Sequence, residues 1–308
     1  MTRVAGIDCG TNSIRLLIAE STETGELAEV DRRMQIVRLG QGVDSTGQLA
    51  PEALERTFAA TREYAALCRE NGVTAMRFVA TSATRDARNR DDFVDGVRDI
   101  LGIEPEVVDG AQEAALSFAG ATSGIAAPGP YLVVDLGGGS TELVLGSKDG
   151  VAKAFSMDIG SVRLTERHIR ADPPTPAECS AASADIDRAL DEAAGTVPID
   201  QARTLVGVAG TITTITAHAL RLPEYRRERI HAAMISVEQL TAACADLIAM
   251  DREQRSALPY LHPGRVDVIA AGALIWQRLL ERVSAASGID VAVTSEHDIL
   301  DGIAMSLV

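Results

Sequence analysis

Ile7-Asp8-Cys9-Gly10-Thr11-Asn12-Ser13 and Val134-Asp135-Leu136-Gly137-Gly138-Gly139-Ser140 carry the same pattern, at a constant offset of 127 residues. Aspartate falls on aspartate, glycine on glycine and serine on serine. Apolar residues precede each copy (Val4, Ala5; Leu132, Val133) and follow it (Leu16, Leu17, Ile18; Leu143, Val144, Leu145). Each copy therefore reads as a β-hairpin whose tip is rich in glycine and hydroxyls. Glycine lets backbone N–H groups approach a ligand closely, and hydroxyls add donors, a combination suited to phosphate oxygens. Two such tips predict two lobes that hold a phosphorylated ligand from both sides.

Outward from the first hairpin, 27–38 reads as a strand pair and 40–42 as a turn. Ala53, Leu54, Thr57, Phe58, Thr61, Tyr64, Ala65 and Cys68 recur at helical spacing and predict a helix over 51–71, closed by Asn71-Gly72. A strand at 76–80, a helix at 91–101, a strand at 106–108 and a helix at 112–121 follow. The Gly/Pro/Ala-rich stretch 123–130 leads into the second hairpin and places a domain boundary near 120. The second half repeats the logic. It has a strand at 152–158, helices from 161 and over 181–194, a strand at 204–208, and a helix opening at Ala209-Gly210-Thr211. Helices over 236–250 and 265–284, a strand at 291–293 and a last helix from 298 complete it. Strands alternating with helices predict an α/β fold with mixed sheets. Two halves opening on one device imply duplication: an N-terminal lobe over 1–120, which a C-terminal helix over 298–308 is placed to join, and a C-terminal lobe over 121–297.

Composition narrows the function. The 308 residues are 46 % hydrophobic and 24 % charged, the balance of a globular protein. A net charge of −15 disfavours a general partner of nucleic acid or anionic membrane. Cys9, Cys68, Cys179 and Cys244 are too far apart for zinc spacing, and no leader or membrane-spanning pattern is read, so the expected location is the cytoplasm. His168, His218, His231, His262 and His297 show no metal spacing, and Trp276 reads as core. An anionic substrate in an acidic protein needs local positive charge, which Arg15, Arg85 and Arg163 offer beside the glycine-rich segments. As a lone arginine, Arg163 also fits a surface position.

The tip Gly137-Gly138-Gly139-Ser140-Thr141 is neither a Walker A loop, since no Gly-Lys-Ser/Thr follows, nor a dinucleotide fingerprint, since Glu142 stands at the last glycine. Asp8, Asp135 and Glu142 flank the tips. Carboxylates beside phosphate repel it unless a cation such as Mg²⁺ intervenes. Asp8 and Asp135 fit equally as partners of the turn backbone, and Glu142 as a solvated side chain. Glu113 is either an acidic residue favoured in a helix's first turn or a general base for water, and spacing does not separate the two.

Five segments occur in order: Ile7 to Ser13; Ala80-Thr81-Ser82-Ala83-Thr84-Arg85-Asp86-Ala87-Arg88-Asn89; Gly110-Ala111-Gln112-Glu113-Ala114; Asp135 to Glu142; and Gly207-Val208-Ala209-Gly210-Thr211. Together they resemble the exopolyphosphatase/guanosine pentaphosphate phosphohydrolase family, over residue 4 to beyond residue 270. The resemblance implies two duplicated actin-like (ribonuclease H-like) lobes with an interlobe cleft. It implies Glu113 as the base, Asp135 and Glu142 as magnesium carboxylates, and Asp8 as a polar support or outer-sphere metal partner. Gly10, Thr11, Asn12, Ser13, Arg15, Arg85, Gly137, Gly138, Gly139, Ser140, Thr141, Gly210 and Thr211 are then the phosphate contacts, with arginine suited to bidentate binding. Inorganic polyphosphate is the implied substrate, guanosine pentaphosphate the alternative, and a homodimer the implied assembly. An actin-like nucleotide-binding or filament protein is the rival of another class, marked by tight ATP binding without phosphate release. Gln112 replaces a second glutamate that some members carry, and Leu300-Asp301-Gly302 replaces their Arg-Glu-Gly. Longer members append helical domains after the second lobe, which leads to the expectation of a preference for short chains here.

Overall fold

The computed structural model describes residues 2–22 and 27–308. The chain divides into two compact units, Met1–Gly120 together with Ile299–Val308, and Ala121–Asp298.

The first unit is built on strands β1 (Arg3–Cys9), β2 (Ser13–Ser21), β3 (Leu27–Ile36), β4 (Ala75–Ala80) and β5 (Glu106–Val107), in the order β3-β2-β1-β4-β5. The three leading strands form an antiparallel meander, and β4 and β5 add in parallel. β1 carries the apolar run Val4 to Ile7 and is buried on both faces from Val4 onward, as suits a strand with a parallel neighbour. The helix Pro51–Glu70 opens with proline at its first position and buries the face read from its periodicity; Tyr64 Oη then donates to the Ile14 carbonyl of β2 at 3.1 Å. The C-terminal helix Ile299–Met305 lies on β1, where Gly6 leaves room for Ile303 and for the Leu300 carbonyl.

The second unit repeats the plan. Strands β6 (Tyr131–Leu136), β7 (Thr141–Ser147), β8 (Gly150–Met157), β9 (Thr204–Val208), β10 (Ala233–Ser236) and β11 (Val291–Thr294) lie in the order β10-β11-β9-β6-β7-β8. β8-β7-β6 is again an antiparallel meander, and β9 and β11 again add in parallel. β10 is an extra antiparallel edge. Trp276 lies in this unit's core, as its apolar helix suggests. The fold is thus α/β, with two mixed sheets of one design.

Several elements differ from the sequence reading, among them short helices at Val43–Thr46, Ser82–Asp86, Arg227–Ile230 and Arg252–Ser256 that it did not include. The stretch read as a strand pair over 27–38 forms one strand, Leu27–Ile36, because it holds no glycine or proline on which to turn. The helix expected from 181 starts at Pro176: Thr175 and Glu178 form a reciprocal capping box, and Pro176 sits where a helix tolerates proline. β10 is four residues long, too short for its alternation to register.

Gly302 lies where the C-terminal helix meets the helix Gly110–Thr122; a Cβ there would stand 1.9 Å from the Leu116 carbonyl oxygen. Gly302→Ala is therefore expected to destabilise the protein by about 2 kcal/mol through overpacking. The urea midpoint checks this, and an unchanged midpoint would show that the two helices part without cost.

Candidate functional site

Both hairpins close in the same way. The register pairs Cys9 with Ile14 and Leu136 with Thr141, leaving four-residue tips at 10–13 and 137–140. Gly10 N donates to Ser13 O, and Gly137 N to Ser140 O, each at 3.0 Å. In both units the neighbouring parallel strand ends within one residue of the same level. Cys9 pairs with Ala80, and Asp135 with Val208. Hence Thr81 and Ser82 follow β4 beside the first tip, where Thr11 Oγ1 and Ser82 Oγ lie 2.9 Å apart. Gly210 and Thr211 follow β9 in the first turn of the helix Ala209–Ala219. These are the carboxyl ends of parallel strands, where α/β sheets place ligands.

One position separates the copies. Asp8 faces Arg15 across the first hairpin, and Asp135 faces Glu142 across the second. Asp8 is 3 % exposed, and its Oδ2 accepts from Arg15 Nε at 2.9 Å and Nη2 at 2.6 Å. The first hairpin thus neutralises its own carboxylate. The second sets two carboxylates opposite each other, 7 % and 1 % exposed, with Ser156 Oγ donating to Glu142 Oε1 at 2.8 Å. Buried like charges in register need a proton or a cation. Burial also removes the solvated-face reading of Glu142.

No group of three or more His, Cys, Asp or Glu side chains forms a metal cage among the described residues. The Asp135–Glu142 pair matches Mg²⁺, which takes one or two carboxylates and completes its shell with water and phosphate. Asp8, expected as a polar support or outer-sphere metal partner, holds the Arg15 guanidinium through Oδ2.

Glu113 lies in the first turn of the helix Gly110–Thr122, which Asp109 caps by accepting from Ala111 N at 2.9 Å and Gln112 N at 2.8 Å. Gln112 Oε1 returns a bond to Asp109 N, so the residue that replaces a second glutamate serves the cap. Glu113 turns inward instead and is 7 % exposed. Arg85, from the short helix Ser82–Asp86, donates through Nη1 to Glu113 Oε2 at 2.9 Å and to the Val108 carbonyl at 3.1 Å. Burial raises the carboxyl, and the charge of Asp8 adds to it, while bonds from Arg85 and Thr81 oppose the rise; the balance lies at about 7. Thr81 is a site residue that the sequence reading left without a role.

Each unit therefore gathers its own group: Asp8, Arg15, Thr11, Thr81, Arg85 and Glu113 in the first, and Gly137 to Ser140 with Asp135 and Glu142 in the second. Thr141, expected among the phosphate contacts, directly follows the second tip. Its side chain is fully buried and its hydroxyl donates to the Ile159 carbonyl at 2.7 Å, so it frames the loop. Gly210 lies under the guanidinium of Arg265, where a Cβ would fall 2.1 Å from Cζ. No motif had pointed to Arg265.

Two glycine-tipped hairpins, a buried carboxyl raised toward neutrality and two carboxylates in register are compatible with phosphoryl hydrolysis. The chain belongs to the Ppx/GppA phosphatase family, whose model matches residues 17–307. It is 50 % identical to exopolyphosphatase 2 of Mycobacterium tuberculosis over 316 aligned positions, spanning 100 % of this chain and 99 % of that protein. A crystal structure of an exopolyphosphatase-like protein shares 49 % identity and a TM-score of 0.95, covering 99 % of this chain and 97 % of the other. The Aquifex aeolicus member of the family shares 30 % identity and a TM-score of 0.83, with the same coverage.

The environment of Glu113 has a measurable signature. Its carboxyl carbon, assigned by comparison with Glu113→Gln, is expected to titrate near pH 7 by NMR. Arg85→Met moves that midpoint upward, because the guanidinium favours the ionised form; Asp8→Asn moves it downward, because a like charge is lost. Unmoved midpoints in both variants would show that these neighbours do not set it.

Proposed function

We propose that the protein is an exopolyphosphatase: with Mg²⁺ it hydrolyses the terminal phosphoanhydride bond of inorganic polyphosphate. The observation that supports this most directly is Glu113, a carboxyl buried beside the first hairpin with its proton balanced near neutrality. Glu113 takes a proton from water as the water oxygen forms its bond to the terminal phosphorus. The bridging P–O bond breaks, and the electron pair leaves on the shortened chain. Arg85 holds Glu113 in place and lends positive charge beside it. Loop N–H groups and hydroxyls at Gly10 to Ser13 and Gly137 to Ser140 receive the phosphate oxygens, while Gly210 and Thr211 add donors at the start of their helix. Asp135 and Glu142 would hold Mg²⁺, which when bound neutralises phosphate charge. Arg15 remains close enough to the first tip to assist there, but its first partner is Asp8.

Assays of phosphate release test the reading, with short and long polyphosphate and guanosine pentaphosphate compared side by side. Polyphosphate, short chains above all, is expected to be the better substrate. Glu113→Gln is expected to lose on the order of 10²–10⁴ in rate while remaining folded, the range of general-base catalysis. Retention of full activity would remove Glu113 from the reaction. Glu142→Gln is expected to raise the Mg²⁺ concentration needed for half-maximal rate, and chelation to abolish turnover. Asp8→Asn is expected to leave the Mg²⁺ requirement in place. A cytoplasmic homodimer completes the proposal, and light scattering of the purified protein checks the assembly.

A further inference from the structure

Loop N–H groups serve a ligand only when the carbonyls of the same tip are held elsewhere. In the second unit Ser161 N donates to Gly137 O at 3.0 Å, Val162 N and Arg163 N to Gly138 O at 2.8 and 3.1 Å, and Arg163 Nε to Gly139 O at 2.7 Å. Three successive loop carbonyls end on one segment. Gly160 allows the approach, since a Cβ there would stand 2.5 Å from the Gly138 carbonyl carbon and oxygen.

The first unit has the same brace made from other residues. Gly40 N donates to Thr11 O at 2.8 Å, and Val37 N and Arg38 N both donate to Asn12 O, at 3.1 and 2.9 Å. A Cβ on Gly40 would stand 2.3 Å from Thr11 Cγ2. Thr11 and Gly138 hold the same place in the repeat. Segments 37–40 and 160–163 each follow the third strand of their sheet and share a glycine and a Val-Arg pair, in opposite order. The first unit ties its loop with backbone N–H groups; the second recruits a side chain for its last carbonyl. The N-terminal N–H groups of the helix Ser161–His168, which elsewhere attract anions, are here committed to the loop.

We infer that Arg163 is a positioning residue: its Nε–H holds the Gly139 peptide so that the second loop presents its N–H groups to phosphate, and it acts as a donor to a carbonyl, not as a charge on the substrate. The inference rests on the proposed reading of the loop as a phosphate cradle. It also moves Arg163 from the surface position that a lone arginine suggests to the underside of the site.

Side-chain geometry supplies the test. Gln places its amide nitrogen the same number of bonds from the backbone as Arg Nε, without charge, whereas Lys keeps the charge one bond further out. Wild type, Arg163→Gln, Arg163→Lys and Arg163→Met are compared for kcat and KM on tripolyphosphate with Mg²⁺. Arg163→Met is expected to lose about 10²-fold in kcat/KM, chiefly in kcat, the scale of a misplaced reacting group. Arg163→Gln is expected to recover most of that loss, and more than Arg163→Lys. Recovery by Lys but not Gln, with the loss in KM, would assign a charge contact and overturn the inference. Four indistinguishable proteins would overturn it too. Where Arg163→Met does not fold, Gln against Lys decides alone. Absence of phosphate release from wild type itself refutes the proposed activity, and calorimetric binding of tripolyphosphate to the same variants then decides the brace by the same order.

Discussion

A carboxylate buried in protein must meet a compensating charge or keep its proton, and four such groups at the strand ends organise everything around them. Asp8 meets Arg15 across a hairpin, and Glu113 meets Arg85 from a neighbouring helix. Asp135 and Glu142 meet each other. The first two arrangements are closed by side chains of the protein.

Duplication supplies the frame in which these differences stand out. Both units run a meander into parallel strands, both close a four-residue tip with one hydrogen bond, and both tie the tip's carbonyls to the segment after the third strand. Against that constancy a single register position, Arg15 in one copy and Glu142 in the other, divides the labour. The first unit holds Glu113 beside Arg85, and the second holds Asp135 opposite Glu142. Glu113 adds a further asymmetry: its helix is capped through Asp109 and Gln112, which leaves the glutamate beside them free to turn inward.

The hairpins and most helices were legible because their signals are local: apolar runs, glycine tips, one periodic face. The start of the helix at Pro176 was hidden by prolines that read as loop, although the capping pair Thr175 and Glu178 stood in the sequence. The role of Glu113 was not legible from spacing, because its environment is assembled from residues 81, 85 and 8, which only the sheet brings together. The opposition of Asp8 to Arg15, and of Asp135 to Glu142, follows from the hairpin register and was within reach of the 127-residue offset. Arg265 over Gly210 was beyond reach, since 55 residues of chain separate them.

The helix Ile299–Met305 belongs to the unit that begins the chain. Leu300, Ile303 and Ala304 supply buried apolar surface against β1 and its neighbours, and Asp301 pairs with Arg32 of β3. The second unit is one unbroken segment set between the two parts of the first. During synthesis on the ribosome it has all its residues before the first unit does. The half that carries Glu113 therefore waits for residues made after the whole of the second unit.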